Sequence, residues 1–246
     1  MITNRITVLY YHHVGLPPWG VKFKGGFVHP WMFARQMEWL KKKYFRVVPL
    51  TDLVSYLRGD VVLPERTAVL TFDDGYHDFY LYAYPVLKKY NYPAAVFISP
   101  GLIGGYNEWD HEKIHAKLPL MTMEQVNDTI ASGLIDYGAH TLTHPFLSKL
   151  DDEKVIAEVV GSKKLLETKT GRPVLSFCYP YGDYDRRVCE IVKKEFSVAF
   201  TTHRGFVYKD SSPWELKRVE VKRNTWMLPF RIKLLTDHEE KKGENR

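Results

Sequence analysis

Short apolar runs rich in β-branched and aromatic residues recur along the whole chain. Runs of this kind are typical of buried strands, and we predict strands over residues 6–11, 46–49, 68–72, 94–98, 135–139, 174–178, 198–201 and 216–221. Between most of them the apolar residues follow helical spacing. This second pattern predicts helices over residues 30–43, 51–57, 78–90, 122–132, 151–168 and 185–194.

The regular alternation of predicted strands and helices indicates an α/β protein. Such alternation over about 200 residues implies mostly parallel strands joined by helical crossovers. Seven to eight strands favour a closed or nearly closed (β/α) barrel, and an open doubly wound sheet is the alternative fold. We assign residues 1–236 to a single catalytic domain. The charged residues 237–246 are expected to form a solvated, frayed tail.

Bulk composition limits the class of protein. The 246 residues are 45% hydrophobic, which supports a large core without disulfides, and the two cysteines, Cys178 and Cys189, suggest no thiolate zinc site. The net charge of +6 is spread along the chain, so we expect no nucleic-acid partner. We see no apolar window long enough to span a membrane and no secretory signal in the first ten residues, which favours the cytoplasm over secretion.

Ionisable residues fall where predicted strands end. His12, the pair Asp73 and Asp74, and His140 each follow directly on an apolar run, as does the Pro-Tyr-Gly turn at 180–182. In an α/β barrel the carboxyl ends of the strands converge on one mouth. These residues, although far apart in sequence, are therefore expected to line one cavity.

Two adjacent carboxylates, Asp73 and Asp74, leave an apolar strand at a turn that Gly75 makes possible. Like charges repel at this distance, and a bound divalent cation would keep both carboxyls ionised, one as a ligand and the other as a base. A polar turn in which an aspartate caps the next helix is the alternative interpretation.

His140 and His144 lie four residues apart, which lets both imidazoles reach one ion from a helical turn or compact loop. Pro145 follows at once and argues against a long helix. With one carboxylate of the aspartate pair, they form a ligand set that leaves positions open for water and substrate. A water bound there has a pKa of about 7, so a neighbouring carboxylate can deprotonate it as it attacks a carbonyl.

Two further groups fit a hydrolytic site. His12 and His13 stand at the end of the first predicted strand, and strand alternation sends them to opposite sides, so that one can serve as a general acid while the other is structural. The turn at 180–182 can direct backbone N–H groups at a developing oxyanion. An ordinary Pro-Gly loop is the alternative for this turn.

Together these residues resemble the polysaccharide deacetylases of the NodB-homology group, carbohydrate esterase family 4, from about residue 6 to residue 221. Residues 71–75 match the family motif Thr-Phe-Asp-Asp-Gly, which implies that Asp73 is the base and Asp74 a metal ligand. His140, Thr141 and His144 match the motif His-Ser/Thr-x-x-His, in which both histidines bind the metal. The resemblance also implies a distorted (β/α) barrel.

The third family motif, Arg-x-Pro-x-Gly, is only partly matched, because Cys178 occupies the Arg position. By analogy the Tyr181 backbone N–H helps to bind the oxyanion, and Arg218 is our candidate to replace the missing arginine. The opening Leu-Tyr-Tyr-His-His-Val resembles the rearranged branch that includes poly-N-acetylglucosamine deacetylases. That resemblance favours His12 over His13 as the acid.

The resemblance implies a hydrolase that removes N-acetyl groups from amino sugars of a polysaccharide or glycoconjugate, with a metal-bound water as the nucleophile. Zinc is the expected metal, with Co²⁺, Ni²⁺ and Fe²⁺ as alternatives. The expected partner is an N-acetylated glycan. Hydrolysis of another non-peptide C–N bond, in a cyclic ureide or imide, and a non-catalytic carbohydrate-binding relative are the alternative functions.

Overall fold

The computed structural model describes residues 5–244 of the protein. All eight predicted strands form in this part of the chain, and two short strands, β2 and β3, join them. The strands are β1 (Thr7–Tyr11), β2 (His13–Val14), β3 (Phe27–Val28), β4 (Arg46–Val47), β5 (Thr67–Phe72), β6 (Ala94–Ile98), β7 (Ile135–Ala139), β8 (Ser176–Cys178), β9 (Val198–Arg204) and β10 (Leu216–Glu220).

The predicted helices are also present, with additional ones at residue 111 and beyond residue 226. The α-helices are α1 (Pro30–Lys42), α2 (Leu50–Arg58), α3 (Tyr84–Tyr90), α4 (His111–Ile114), α5 (Met123–Ala131), α6 (Asp152–Thr170), α7 (Arg186–Glu195), α8 (Met227–Leu235) and α9 (His238–Glu244). Within residues 5–244, none of them combines the length and the apolar character that crossing a membrane requires.

The predicted helix over residues 78–90 is divided into two parts. Phe79–Ala83 is π-helical, and α3 follows it with Pro85 in its first turn. Because proline has no backbone N–H, it cannot donate to the carbonyl one turn earlier. The regular α-helical ladder therefore begins only at Tyr84.

Seven parallel strands close into a barrel. The strand order is β1-β10-β9-β8-β7-β6-β5, and β1 also pairs with β5 over the five positions from Thr7 opposite Ala68 to Tyr11 opposite Phe72. β4 adds an eighth parallel strand beside the start of β5. The predicted distorted barrel is confirmed, and the open doubly wound sheet is wrong because β1 joins both ends of the sheet.

The barrel interior is filled with apolar side chains and is covered at one end by a helix. Val8 and Val69, from β1 and β5, pack in one buried cluster with Leu50 and Leu53 of α2. β4 pairs with the first two residues of β5, so α2, which follows β4, lies across the amino-terminal ends of the strands. The carboxyl ends of the strands therefore form the accessible mouth of the barrel.

The expectation of a frayed tail is wrong for residues 237–244. α9 packs against the barrel, with the Glu239 side chain fully buried and 2.7 Å from the ammonium of Lys233. The carboxylate of Glu240 accepts the backbone N–H of Phe206 at 2.8 Å. Paired charges can be buried where isolated ones cannot, so the charged composition of α9 did not prevent it from packing against the barrel. Residues 245 and 246 lie outside the described part of the chain, as do residues 1–4 of the amino-terminal stretch.

Gly138 of β7 lies at a closely packed position inside the barrel. A Cβ at this position would lie 2.4 Å from the Phe97 ring and 2.5 Å from the Ser176 hydroxyl oxygen. We expect Gly138→Ala to lower the free energy of unfolding by about 1–3 kcal/mol because the core is overpacked. Urea denaturation measures the change. Gly25→Ala, where a Cβ meets nothing within 4 Å, is the control, and equal stability of both variants would contradict the packing argument.

Candidate functional site

Three ligand-type side chains meet at the mouth of the barrel. The Nε2 atoms of His140 and His144 lie 3.2 Å apart, and they are 3.4 Å and 3.3 Å from the Oδ1 atom of Asp74. All three residues are buried. One carboxylate and two imidazoles directed at a common point form a set suited to a divalent cation with open coordination positions, as predicted from the sequence.

Left-handed backbone conformations direct these side chains inward. Asp74 has φ 73°, and His144 has φ 66°. Gly75 follows with φ 71°, and a Cβ there would lie 2.5 Å from the Cγ2 atom of Ile98. Few non-glycine residues adopt positive φ, and those that do cluster at functional sites. The expectation that Gly75 makes this turn possible agrees with the geometry.

A backbone carbonyl fixes the orientation of the His140 ring. Its Nδ1 atom lies 2.6 Å from the carbonyl oxygen of Cys178, so the Nδ1–H donates to that oxygen. The Nε2 atom then carries the lone pair and faces Asp74. A hydrogen bond from the distal ring nitrogen is the usual partner of a metal-ligating histidine, and the donor set here fits a divalent metal on this ground as well.

Arg218 holds Asp73 from inside the barrel. Its Nη1 and Nη2 atoms donate to the two carboxylate oxygens of Asp73 at 2.8 Å and 2.7 Å, a bidentate arrangement. The Nε atom donates to the carbonyl of Thr201 at 2.9 Å, and the guanidinium lies 4.2 Å from the ring centroid of Tyr10. Arg218 is fully buried, so its position is tightly constrained.

The ion pair keeps Asp73 ionised despite its burial. Burial raises the pKa of the Asp73 carboxyl, but the charge and hydrogen bonds of Arg218, together with smaller contributions from His12 and His140, lower it by more. The net pKa is below the ordinary value. Asp73 is therefore a carboxylate whose orientation is fixed by Arg218.

The structure distinguishes the two neighbouring histidines. The His13 ring is buried between Phe27 and Tyr76, at centroid distances of 4.0 Å and 3.7 Å, and its Nδ1 is 2.8 Å from Asp78. His12 is partly exposed and close enough to the aspartate pair to help lower the pKa of both carboxyls. His12, and not His13, faces the site.

The turn after β8 also lies at the site. Tyr181 has φ 58°, and its ring lies edge-on to His144 at 4.7 Å between centroids. Gly182 has φ 71°, and a Cβ there would lie 2.1 Å from the Oγ1 atom of Thr202. This glycine is therefore required for the turn that presents the Tyr181 backbone to the mouth.

Two residues near the site were missed by sequence reasoning. Trp109, in the long segment between β6 and α5, stacks on His144 at 4.4 Å. Glu158 of α6 accepts hydrogen bonds from the loop that joins His140 to His144. A tryptophan in an irregular segment gave a weak signal, and a glutamate in a charged helix gave none.

Comparisons with known proteins agree with this geometry. The polysaccharide deacetylase family model matches residues 60–195. The provisionally named polysaccharide deacetylase YxkH of Bacillus subtilis is 30% identical over 190 residues, which is 77% of this chain and 63% of that protein. The poly-beta-1,6-N-acetyl-D-glucosamine N-deacetylase of Staphylococcus epidermidis is 27% identical over 203 residues, covering 79% of this chain and 68% of that one.

The fold has a counterpart among solved structures. The crystal structure of a provisionally assigned polysaccharide deacetylase from Bacillus anthracis superposes with a TM-score of 0.80 at 26% identity, over 94% of this chain and 69% of that chain. This chain thus spans under two thirds of the B. subtilis relative and somewhat more of the other two. Since the family model covers more than half of its residues, the chain belongs to the polysaccharide deacetylase family.

Proposed function

We propose that this protein is a metal-dependent hydrolase that removes N-acetyl groups from the amino sugars of a polysaccharide or glycoconjugate. The observation that carries the proposal is the meeting of Asp74, His140 and His144 beside a carboxylate that Arg218 holds in place. A ligand set with open positions and an adjacent oriented base is an arrangement that supports hydrolysis of an amide by an activated water.

Asp74, His140 and His144 would hold the divalent cation, with zinc as the expected ion. When bound, such a cation polarises a carbonyl and lowers the pKa of a coordinated water. The pair of imidazoles and one carboxylate leaves room for that chemistry. The Nδ1–H of His140, bonded to the Cys178 carbonyl, keeps its Nε2 lone pair directed at the site.

The remaining groups move protons and stabilise charge. Asp73 takes a proton from the attacking water, whose oxygen adds to the acetamide carbonyl carbon. The Tyr181 backbone N–H donates to the oxygen that becomes negatively charged. His12 donates a proton to the amide nitrogen as the C–N bond breaks. Water and an N-acetyl sugar are thereby converted to acetate and a free amine.

A surface groove of about 580 Å³ lies beside the turn at Gly182. It is lined by Gly182, Tyr184, His203 and Glu215, among other residues. That volume is within the range of small-molecule binding sites. The name of the S. epidermidis relative specifies a poly-N-acetylglucosamine substrate, and we propose a β-linked N-acetylglucosamine polymer as the substrate class here.

Acetate release tests the proposed activity. We expect the metal-loaded protein to release acetate from N-acetylglucosamine oligomers. After chelation the rate should fall by about 100-fold or more, and addition of Zn²⁺ should restore it. Dihydrouracil, a cyclic ureide, is the control substrate. Turnover of the ureide without acetate release from any acetylated sugar would overturn the proposal.

Substitution of the proposed base and acid tests their roles. We expect Asp73→Asn and His12→Ala each to lower kcat by about 10²–10⁴, because each removes one proton-transfer step. His238 lies on α9 next to Asp237, which pairs with Arg5 just before the start of β1, so His238→Ala is the control and should keep the wild-type rate. If either site variant released acetate at close to the wild-type rate, that residue would not have the assigned role.

Arg218 is expected to matter for both activity and stability. Arg218→Lys keeps a charge but loses the two parallel hydrogen bonds, so we expect kcat to fall by about 10² through misplacement of Asp73.

Arg218→Met leaves a buried carboxylate unpaired, and we expect the free energy of unfolding to fall by about 3–5 kcal/mol. Asp73→Asn combined with Arg218→Met should recover much of that loss in urea denaturation. No recovery would show that the pair is not the source of the effect.

A further inference from the structure

The loop between the two histidine ligands is held by one carboxylate from α6. The Oε2 atom of Glu158 accepts the backbone N–H groups of Leu142 and Thr143 at 2.7 Å and 3.0 Å. Its Oε1 atom accepts the hydroxyl of Thr143 at 2.7 Å. Three hydrogen bonds thus connect one side chain to two of the three residues that lie between His140 and His144.

This loop has an unfavourable backbone conformation. Thr141 has φ 62° and His144 has φ 66°, and a β-branched residue such as threonine rarely adopts positive φ. Within the loop, the Thr141 hydroxyl donates to the His140 carbonyl at 2.5 Å and accepts the His144 N–H at 2.9 Å. Conformations of this kind persist only where the surroundings hold them. The hydrogen bonds that Glu158 of α6 accepts help to hold this conformation.

A glycine one turn further along α6 brings the loop close to the helix. Gly161 lies three residues after Glu158, on the same face, and a Cβ there would be 2.9 Å from the Cδ1 atom of Leu142. A glycine inside a helix is unfavourable by itself. Its position opposite Leu142 explains it, because it permits the close approach that Glu158 needs to reach the loop backbone.

We propose that Glu158 is a positioning residue for the metal site, acting through the loop on the ligands His140 and His144. The inference rests on the proposed metal-dependent function and deepens it. An ionised carboxylate makes stronger hydrogen bonds to backbone N–H groups than a neutral acceptor does. By fixing Leu142 and Thr143, Glu158 sets the separation and direction of the two imidazoles before any cation binds.

Metal affinity tests this role without depending on catalysis. The full chain is freed of metal, and Zn²⁺ affinity is measured by competition with a chromophoric chelator. Removing a group that holds a metal ligand in place typically lowers metal affinity by about 10–100-fold. We expect a decrease of this size for Glu158→Ala. The visible absorption of the Co²⁺-loaded protein should change in position or intensity, since the geometry of the imidazole ligands is altered.

Two companion variants separate positioning from a general effect on folding. Glu158→Gln keeps an oxygen that can accept both backbone N–H groups, and we expect it to restore Zn²⁺ affinity to within a few-fold of wild type. Glu153→Ala removes an exposed glutamate from the same helix and should leave affinity and the Co²⁺ spectrum unchanged. If Glu158→Ala does not fold, Thr143→Val is the substitute, because it removes the hydroxyl bond to Glu158 and should lower Zn²⁺ affinity by a smaller factor; unchanged affinity would then contradict the positioning role.

The outcomes distinguish this inference from the proposed function. Wild-type Zn²⁺ affinity and an unchanged Co²⁺ spectrum in Glu158→Ala would overturn the positioning role while leaving the metal site intact. The role would also be wrong if Glu158→Gln bound Zn²⁺ as weakly as a variant lacking His144. A wild-type protein that bound neither Zn²⁺ nor Co²⁺ would overturn the metal-dependent function together with the inference.

Discussion

Asp73 and Arg218 form an ion pair inside a barrel whose interior is mostly apolar. Burying two charges is costly, and the cost is offset only when the geometry is good and the remaining donors are satisfied. Arg218 meets both conditions through its bidentate contact with Asp73 and its bond to the Thr201 carbonyl. The position of the carboxylate at the mouth, and the packing of β1, β5 and β10 around it, depend on this pair.

The arginine comes from a different strand than the family motif suggests. Cys178, on β8, occupies the motif's arginine position, and its Sγ atom lies 3.1 Å from the Nη2 atom of Arg218 on β10. The small cysteine side chain leaves the space that the guanidinium occupies. Arg218 therefore contacts Asp73 from β10, as expected of the residue named as the candidate to replace the missing motif arginine.

The strands, the barrel and much of the candidate site could be predicted from sequence because each has a local signal. The strands that end at Tyr11, Phe72 and Ala139 are mostly apolar, and His12, Asp73 and His140 follow them directly. Other features depend on contacts between distant residues. The docking of α9 requires Glu240 to accept the backbone N–H of Phe206, and the orientation of His13 requires Phe27 and Tyr76 on either side of its ring. Neither contact has a signature in the order of the residues.

The helix α2 closes the amino-terminal end of the barrel, and side chains such as Val8 and Leu53 fill the space behind the site. Small molecules can therefore enter and leave only through the mouth at the carboxyl ends of the strands. In the proposed reaction, water, glycan and acetate would all exchange through the mouth near Trp109 and Tyr181. The acetate would therefore leave through the same opening that the glycan covers.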